Sequence, residues 1–430
     1  MLWVLLAAFL VVRAGHRPES RGVILDHLEF GRRLLHGENV YGPWLSDPDA
    51  PVRPLHAPYP PSFGLLTAPF SGIDATLGRR AARVAWALLQ VACLAATALM
   101  LRRRAPPGLV PTTTNGWHWL WLAMFGIGLR FVLRDTHGGG GNLITLALCL
   151  VAFDAAERDR PRLAGLLLGF SLATKPTQLW LVPVLWLLGR PRAVVWTLVT
   201  GAAAVLVTLV LQRFDVAPWL RWMEGTWRFS TQSDAFAVPA FEFPKFEWMN
   251  QSLRCALARW LGDVPPQYEQ LVVLGMPNGL GLGTATVAWI TRLVSLLLLG
   301  TLFVAAWRAR AVAAARPFVF AAALVVSVLL SPISWKAHHV ALLPVLFLLL
   351  LDFVRTRRGL PILVGWAVCC LPGSDVIGDD RGEWMNSVYV VTASDLVLFG
   401  WAVRRAMQMR SASHEHRDAT LANTGVEIGR

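Results

Sequence analysis

Four short stretches of this chain place reactive side chains at the ends of apolar runs. Asp26 lies in LDHLEFGRRLLHG (25–37), Arg134 precedes the turn GGGGN (138–142), Lys175 stands in ATKPT (173–177), and Lys336, His338 and His339 belong to WKAHH (335–339). A carboxylate at a lipid–water boundary can accept the proton of an attacking hydroxyl, a general-base contribution of roughly 10²–10⁴ in rate. Asp26 is equally explained as an ordinary first-turn residue of a helix. A lone ammonium such as Lys175, where Pro176 breaks the chain, is a natural phosphate partner, and otherwise a snorkelling side chain. His338 and His339 point about 100° apart on a helix, which suits one ligand each rather than a shared metal. No third ligand stands at useful spacing, so partnership with a phosphate or sugar hydroxyl is the better reading, and no metal is expected. The glycines before Asn142 permit close backbone approach.

The elements that carry these residues read as membrane helices. The 430-residue chain is 55% hydrophobic and only 16% charged, against about 25% charged for a soluble domain. Its net charge of +13 comes from short clusters between apolar runs, which orient a chain in a membrane and argue against a nucleic-acid partner. Twenty tryptophans against four tyrosines fit an interfacial aromatic belt. The five cysteines show no metal spacing and imply no disulfide framework.

A spanning helix needs about 20 mostly apolar residues. Candidate spans are 1–14, 82–101, 116–133, 142–156, 161–174, 176–189, 193–212, 280–306, 317–333, 338–354, 360–372 and 387–403. This predicts an all-α polytopic membrane protein of about twelve helices, or ten to eleven if short pairs form re-entrant hairpins. Basic clusters at 102–104, 158–162, 190–192, 308–316, 355–358 and 404–410 occur at every second connection. The connections between them carry single basic residues, Arg134, Lys175, Lys336 and Arg381. The rich loops are then cytoplasmic, as are both termini. Asp26, GGGGN, ATKPT and WKAHH fall together on the outer face.

Residues 1–409 form the membrane domain, with two long outer loops, 15–81 and 213–279. The first is proline-rich and contains an amphipathic helix whose apolar side is Leu25, Leu28, Leu35 and Phe30, stopped at Gly37. The second carries Trp219, Trp222, Trp227, Trp248 and Trp260, a lid, a platform for sugar or lipid, or a plain interfacial collar. The tail 410–430 reads as disordered and cytoplasmic. Asp395, inside the last span, is a buried carboxylate that serves either a helix contact or function.

The order of these pieces resembles the polytopic bacterial glycosyltransferases of family 87, which include polyprenyl-phosphate-mannose-dependent mannosyltransferases. The resemblance covers about 22–350. It rests on DHLEFGRRLLHGENVYG (26–42), YPPSFGLLTAPF (59–70), GGGGNLITLAL (138–148), AGLLLGFSLATKPTQLWLVPVLWLL (164–188), NQSLRCALARW (250–260) and SPISWKAHHVALLP (331–344). It implies a GT-C fold in the bacterial plasma membrane, with the active site on the extracytoplasmic face. The implied reaction moves a hexosyl group, with mannose the best-attested, from a polyprenyl phosphate to a lipid or glycan hydroxyl with inversion and no cofactor. Asp26 matches the general base, Lys175 and the His338/His339 pair match positions near donor phosphate and sugar, and Asn142 matches the motif asparagine; Lys336, with Arg134 behind it, is a further candidate for the phosphate by its charge on the same face. The family's glutamine of G-Q-x-N is Gly140 here. A transporter or flippase of a lipid-linked sugar or small solute is the rival from another class, although the chain lacks a visible repeat and sets its polar groups at one boundary. A non-catalytic membrane protein is the remaining alternative.

Overall fold

A computed structural model describes residues 2–16, 23–42, 59–111, 113–231, 249–264 and 279–409. The tail, Trp248 and the proline-rich stretch 43–58 lie outside the described residues. In chain order the helices are α1 (Leu2–Gly15), α2 (Ile24–Leu35), α3 (Phe63–Leu77), α4 (Arg79–Arg104), α5 (Thr114–Gly138), α6 (Asn142–Glu157), α7 (Pro161–Thr174), α8 (Leu181–Leu187) and α9 (Pro191–Leu211). They continue as α10 (Ala217–Thr231), α11 (Leu253–Leu261), α12 (Thr284–Ala309), α13 (Arg316–Leu330), α14 (Leu343–Thr356), α15 (Leu360–Cys370), α16 (Asp379–Ser387) and α17 (Val390–Gln408). Among the described residues no strand forms beyond an isolated bridge, Gly262 with Leu282. The chain is an all-α membrane protein.

The expected count of twelve spans is corrected. Among the described residues six segments are long and apolar enough to cross a membrane, namely α4, α5, α9, α12 and, each with the 3₁₀ turn before it, α13 (Ala313–Leu330) and α14 (Lys336–Thr356), or seven if α16 and α17, bent by 50° at their junction, count as one. Hydropathy reads composition, whereas crossing needs length. α6, α7 and α15 are apolar but have only 16, 14 and 11 residues, and α8 is shorter still. α13 and α14 form the buried centre, Phe318 through Leu329 and Leu343 through Asp352 being buried throughout. α9 and α12 line the outside and expose Leu198, Leu206, Leu293 and Leu296. Trp289 and Trp307, 67% and 64% exposed, stand at opposite ends of α12. Their separation of about 27 Å along the axis matches the roughly 30 Å hydrocarbon layer bounded by aromatic belts.

Buried carboxylates gather the basic clusters at one end of the bundle. Asp154 binds Arg104 at 2.7 Å and Arg158 at 3.0 Å. Glu157 bridges Arg190 at 3.2 Å and Arg316 at 2.9 Å, and Asp352 holds Arg405 at 2.7 Å. The polar turns meet at the other end: Val23 N–H donates to Gly138 O, Ser62 Oγ to Ala173 O, Gln251 N–H to Ser334 O and Trp260 Nε1 to Val388 O. From the Arg104–Asp154 pair, α4 runs on to Arg79 while α6 stops at Asn142. The long helix therefore carries on the order of 20 Å more helix beyond that pair than the short one. α2 and α3 fill this step, with Ile24 packed beside Trp86 and Ile144.

α2 buries Leu28 and Phe30 as expected, half-buries Leu25, and turns Leu35 outward. Ile24, His27, Leu28, Phe30, Gly31 and Leu34 are buried, whereas Leu35 is 52% exposed. The stripe follows i, i+3, i+4 spacing against α3, a helix that the loop reading of 15–81 did not anticipate. Gly31 makes the crossing close: a Cβ there would stand 2.7 Å from the backbone of Thr67 and Ala68. On the other face Glu29 pairs with Arg32 and Arg33, and Arg32 with Glu38. The second loop likewise contains helices, α10 and α11.

Candidate active site

The turn 138–142 is built around a carboxylate. α5 ends at Gly138, and Gly139 (φ +74°) and Gly141 (φ +69°) take left-handed conformations that reverse the chain. Asp135, fully buried in the last turn of α5, caps α6 from outside it. Its Oδ1 accepts from Asn142 N–H at 3.1 Å and from Asn142 Nδ2 at 2.7 Å, and its Oδ2 accepts from Leu143 N–H at 2.9 Å. These are the orphan donors at a helix N-terminus, where negative charge is favoured. The glycine run answers protein rather than empty space: a Cβ on Gly140 would lie 2.5 Å from Asp135 Oδ1, and one on Gly139 2.8 Å from Ile24 Cβ.

Lys175 ends α7 with φ −152°, the extended backbone that a following proline favours. It is buried, and its Nζ donates to Asn142 Oδ1 at 2.5 Å and to Gly140 O at 3.4 Å. The ammonium also lies 5.2 Å from the centre of the Tyr59 ring, within cation–π range. Burial pulls Lys175 down to about 8, with Asp135 opposing the shift. ATKPT and GGGGN, separate in sequence, therefore meet.

α2 closes over this pair. Tyr59 stacks on Phe63 at 4.0 Å, and His27 packs edge-on against both, at 5.4 and 4.8 Å, and tilted against Trp86 at 5.5 Å. His27 is 1% exposed, and among the described residues neither ring nitrogen has a hydrogen-bond partner. Burial, and then the charge of Lys175, pulls it down to about 3, so the ring is neutral. The Tyr59 phenol is pushed up by burial and then by the charges of Asp135 and Asp26. Asp26, half-buried on α2, thus stands within electrostatic reach of the same ring.

The two histidines of WKAHH part company on a 3₁₀ turn, Lys336–Leu342. His338 Nδ1 accepts from Trp335 N–H at 3.0 Å, and this ring lies close enough to Lys175 to feel its charge. His339 turns into the bundle. Its Nδ1 donates to Trp335 O at 3.0 Å, its Nε2 lies 3.1 Å from Asp395 Oδ2, and Phe131 stacks on its ring at 5.4 Å. Both nitrogens of His339 are therefore engaged inside the protein, and Asp395 has its partner. Lys336 is half-buried on the His338 turn, while Arg134 is exposed, one residue and about 100° round the helix from Asp135.

Asp26, Asn142, Lys175 and His338 thus surround or approach Tyr59 and Lys175; His339 and Arg134 point elsewhere. His27 and Tyr59 were not singled out from sequence, and Asp135 stood out only as one of the polar groups beside GGGGN, without a role. Their signals were present: a carboxylate seven residues before Asn142, a histidine beside Asp26, and the tyrosine of YPP. The family model of glycosyltransferase family 87 matches residues 57–332. That is more than half of the chain, which belongs to this family and is a membrane glycosyltransferase. The match includes Tyr59, Asp135, Asn142 and Lys175, and stops short of Asp26 and the WKAHH turn. No curated protein and no solved structure matches the chain.

Proposed function

We propose that the chain transfers a hexosyl group, mannosyl by preference, from a polyprenyl phosphate to a hydroxyl of a lipid or cell-envelope glycan. The reaction takes place at the extracytoplasmic face of a bacterial plasma membrane, opposite the arginine-rich end, in a GT-C bundle that needs no cofactor. The observation that carries this reading is the meeting of Asp26 and Lys175 at Tyr59, with His338 within electrostatic reach of Lys175, at one end of a membrane bundle of this family. Asp26 takes the proton of the acceptor hydroxyl as its oxygen bonds to the anomeric carbon. The bond from that carbon to the phosphate oxygen breaks, its electron pair leaves with the polyprenyl phosphate, and the centre inverts. Lys175, Lys336 and His338 stabilise the charge growing on the phosphate, as preorganised donors do. Asn142 serves by holding Lys175. His339 acts at one remove, by fixing the turn that presents Lys336 and His338. Arg134 has a place at the rim, as an exposed cation for an approaching anionic head group.

The test is transfer from radiolabelled polyprenyl-phosphate mannose to candidate lipid and glycan acceptors by the purified protein. Asp26→Asn is expected to lose about 10²–10⁴ in rate. Full activity in that variant removes Asp26 from the mechanism. Solute uptake into vesicles without any transfer replaces this reading with a transporter.

A further inference from the structure

We propose that Asp135 is the positioning residue for Lys175: acting through the Asn142 amide, it fixes the ammonium beneath α2 and compensates a charge that the surrounding protein would otherwise leave alone. This rests on the proposed function in placing a donor phosphate at Lys175. The three side chains are all buried and are joined by two short hydrogen bonds, 2.7 Å from Asn142 Nδ2 to Asp135 and 2.5 Å from Lys175 to Asn142 Oδ1. The order of the groups fixes the amide's orientation. A carboxylate only accepts and an ammonium only donates, so the amide nitrogen must face Asp135 and its oxygen Lys175. An amide, with donor and acceptor on separate atoms, can stand between them and satisfy both.

Capping alone does not account for this arrangement. The two backbone N–H groups of α6 already engage both carboxylate oxygens, and the third bond, to Asn142 Nδ2, adds nothing to the cap. An unpaired buried cation costs far more than a paired one, and Asp135 is the carboxylate whose charge opposes the effect of burial on Lys175. The contact from Lys175 to Gly140 O is long, 3.4 Å, and is the one that a phosphate oxygen displaces. Lys175 then meets the phosphate as a fixed charge rather than as a searching side chain.

Other titratable groups also face Lys175. From α2 comes His27, from the turn before α3 comes Tyr59 and from the 3₁₀ turn comes His338, while Asp26 acts on Tyr59. His27, held near 3, and Tyr59, pushed up, both stay neutral between pH 7 and 9. The probe is farnesyl phosphate, with farnesol as the uncharged control, binding to the purified full-length protein in detergent. A phosphate monoester has its second pKa at about 6, so the ligand charge is constant above pH 7.

Wild-type affinity is expected to fall as pH rises through about 8. In Asp135→Asn the fall moves to lower pH, by about tenfold in affinity at fixed pH for each unit of movement. Lys175→Arg removes the fall near pH 8, because a guanidinium keeps its charge. Asn142→Ala cuts the relay while keeping the backbone caps on Asp135. It is expected to move the midpoint in the same direction, and it carries the test should Asp135→Asn fail to fold. An unchanged midpoint in the folded variants overturns the inference and leaves Asp135 a helix cap. No preference for farnesyl phosphate over farnesol in the wild type, at any pH, overturns the functional reading itself.

Discussion

Adding one methyl group where α7 crosses α9 is expected to disturb Lys175 from a distance. Gly165 and Gly169, four residues apart on α7, form a small-xxx-small surface that lets two membrane helices approach closely. An alanine Cβ at position 165 would stand 2.6 Å from the carbonyl carbon of Trp196 and 2.7 Å from Thr197 N; at 169 it would stand 2.5 Å from Thr197 O and 2.7 Å from Thr200 Cβ. Ordinary contact begins at 3.4 Å, and Trp196 Cβ stands closer still to the added methyl at 165, so the helices must part by about 1 Å. Because the obstacle is backbone, rotamer changes give no relief, and overpacking of this kind costs about 1–3 kcal/mol per site. The two substitutions strain the same contact, so the pair costs less than their sum. Lys175 is six residues beyond Gly169, and a shift of about 1 Å at a positioned group is enough to lose roughly 10² in rate. The assay is thermal unfolding of the purified protein in detergent, together with glycosyl transfer. Gly201→Ala on α9 and Gly300→Ala on α12 are the controls, since neither Cβ would meet anything within 4 Å; both should match or exceed wild type by up to about 1 kcal/mol. Gly165→Ala or Gly169→Ala melting together with these controls would refute the reasoning.

Two further outcomes follow from the buried polar groups. Asp395→Leu or His339→Phe alone strands one member of a fully buried pair and should destabilise by about 3–5 kcal/mol, whereas the double variant should recover most of that loss; additive losses in a double-mutant unfolding cycle would rule out the pairing. His27 should make the fold sensitive to acid: its value of about 3 lies below the ordinary 6.5, so the unfolded chain takes up the proton first, and its contribution is fully present above pH 6.5 and lost as pH falls towards 3. His27→Phe should flatten that limb of the stability–pH curve, and an unchanged limb would show that His27 is not its source.

The sorting of charge to two ends was legible in the sequence because basic clusters recur at every second connection, and Asp154, Glu157 and Asp352 tie several of those clusters together. The number of spans was not. The bounds of α6, α7 and α15 were read to within two residues, as 142–156, 161–174 and 360–372; what was misjudged is that helices of 16, 14 and 11 residues count as spans. Pro176 ends α7 after Lys175, and the left-handed Asp159 (φ 54°) follows α6. The divergence of His338 and His339 followed from helical geometry, and Arg134 and Asp135 diverge for the same reason. The role of Asp135 was hidden because a carboxylate at the end of an apolar helix looks like a boundary residue. Only the reversal at Gly139 and Gly141 brings α6 back on to it. α3 was missed because YPPSFGLLTAPF is proline-rich at both ends, although Pro60 and Pro61 precede the helix and only Pro69 falls within it.

The step between α4 and α6 sets the depth of Lys175. Lys175 rests below the level of Arg79, under a roof of protein rather than under water. Mobile counter-ions, which damp exposed charges over about 8–10 Å in ordinary salt, have little access to it, and its pull on an anion is governed by the interior. A carrier whose anionic head hangs from a hydrocarbon tail comes to that level sideways, from within the bilayer. One dissolved in the aqueous phase has to get past α2 and α3 first.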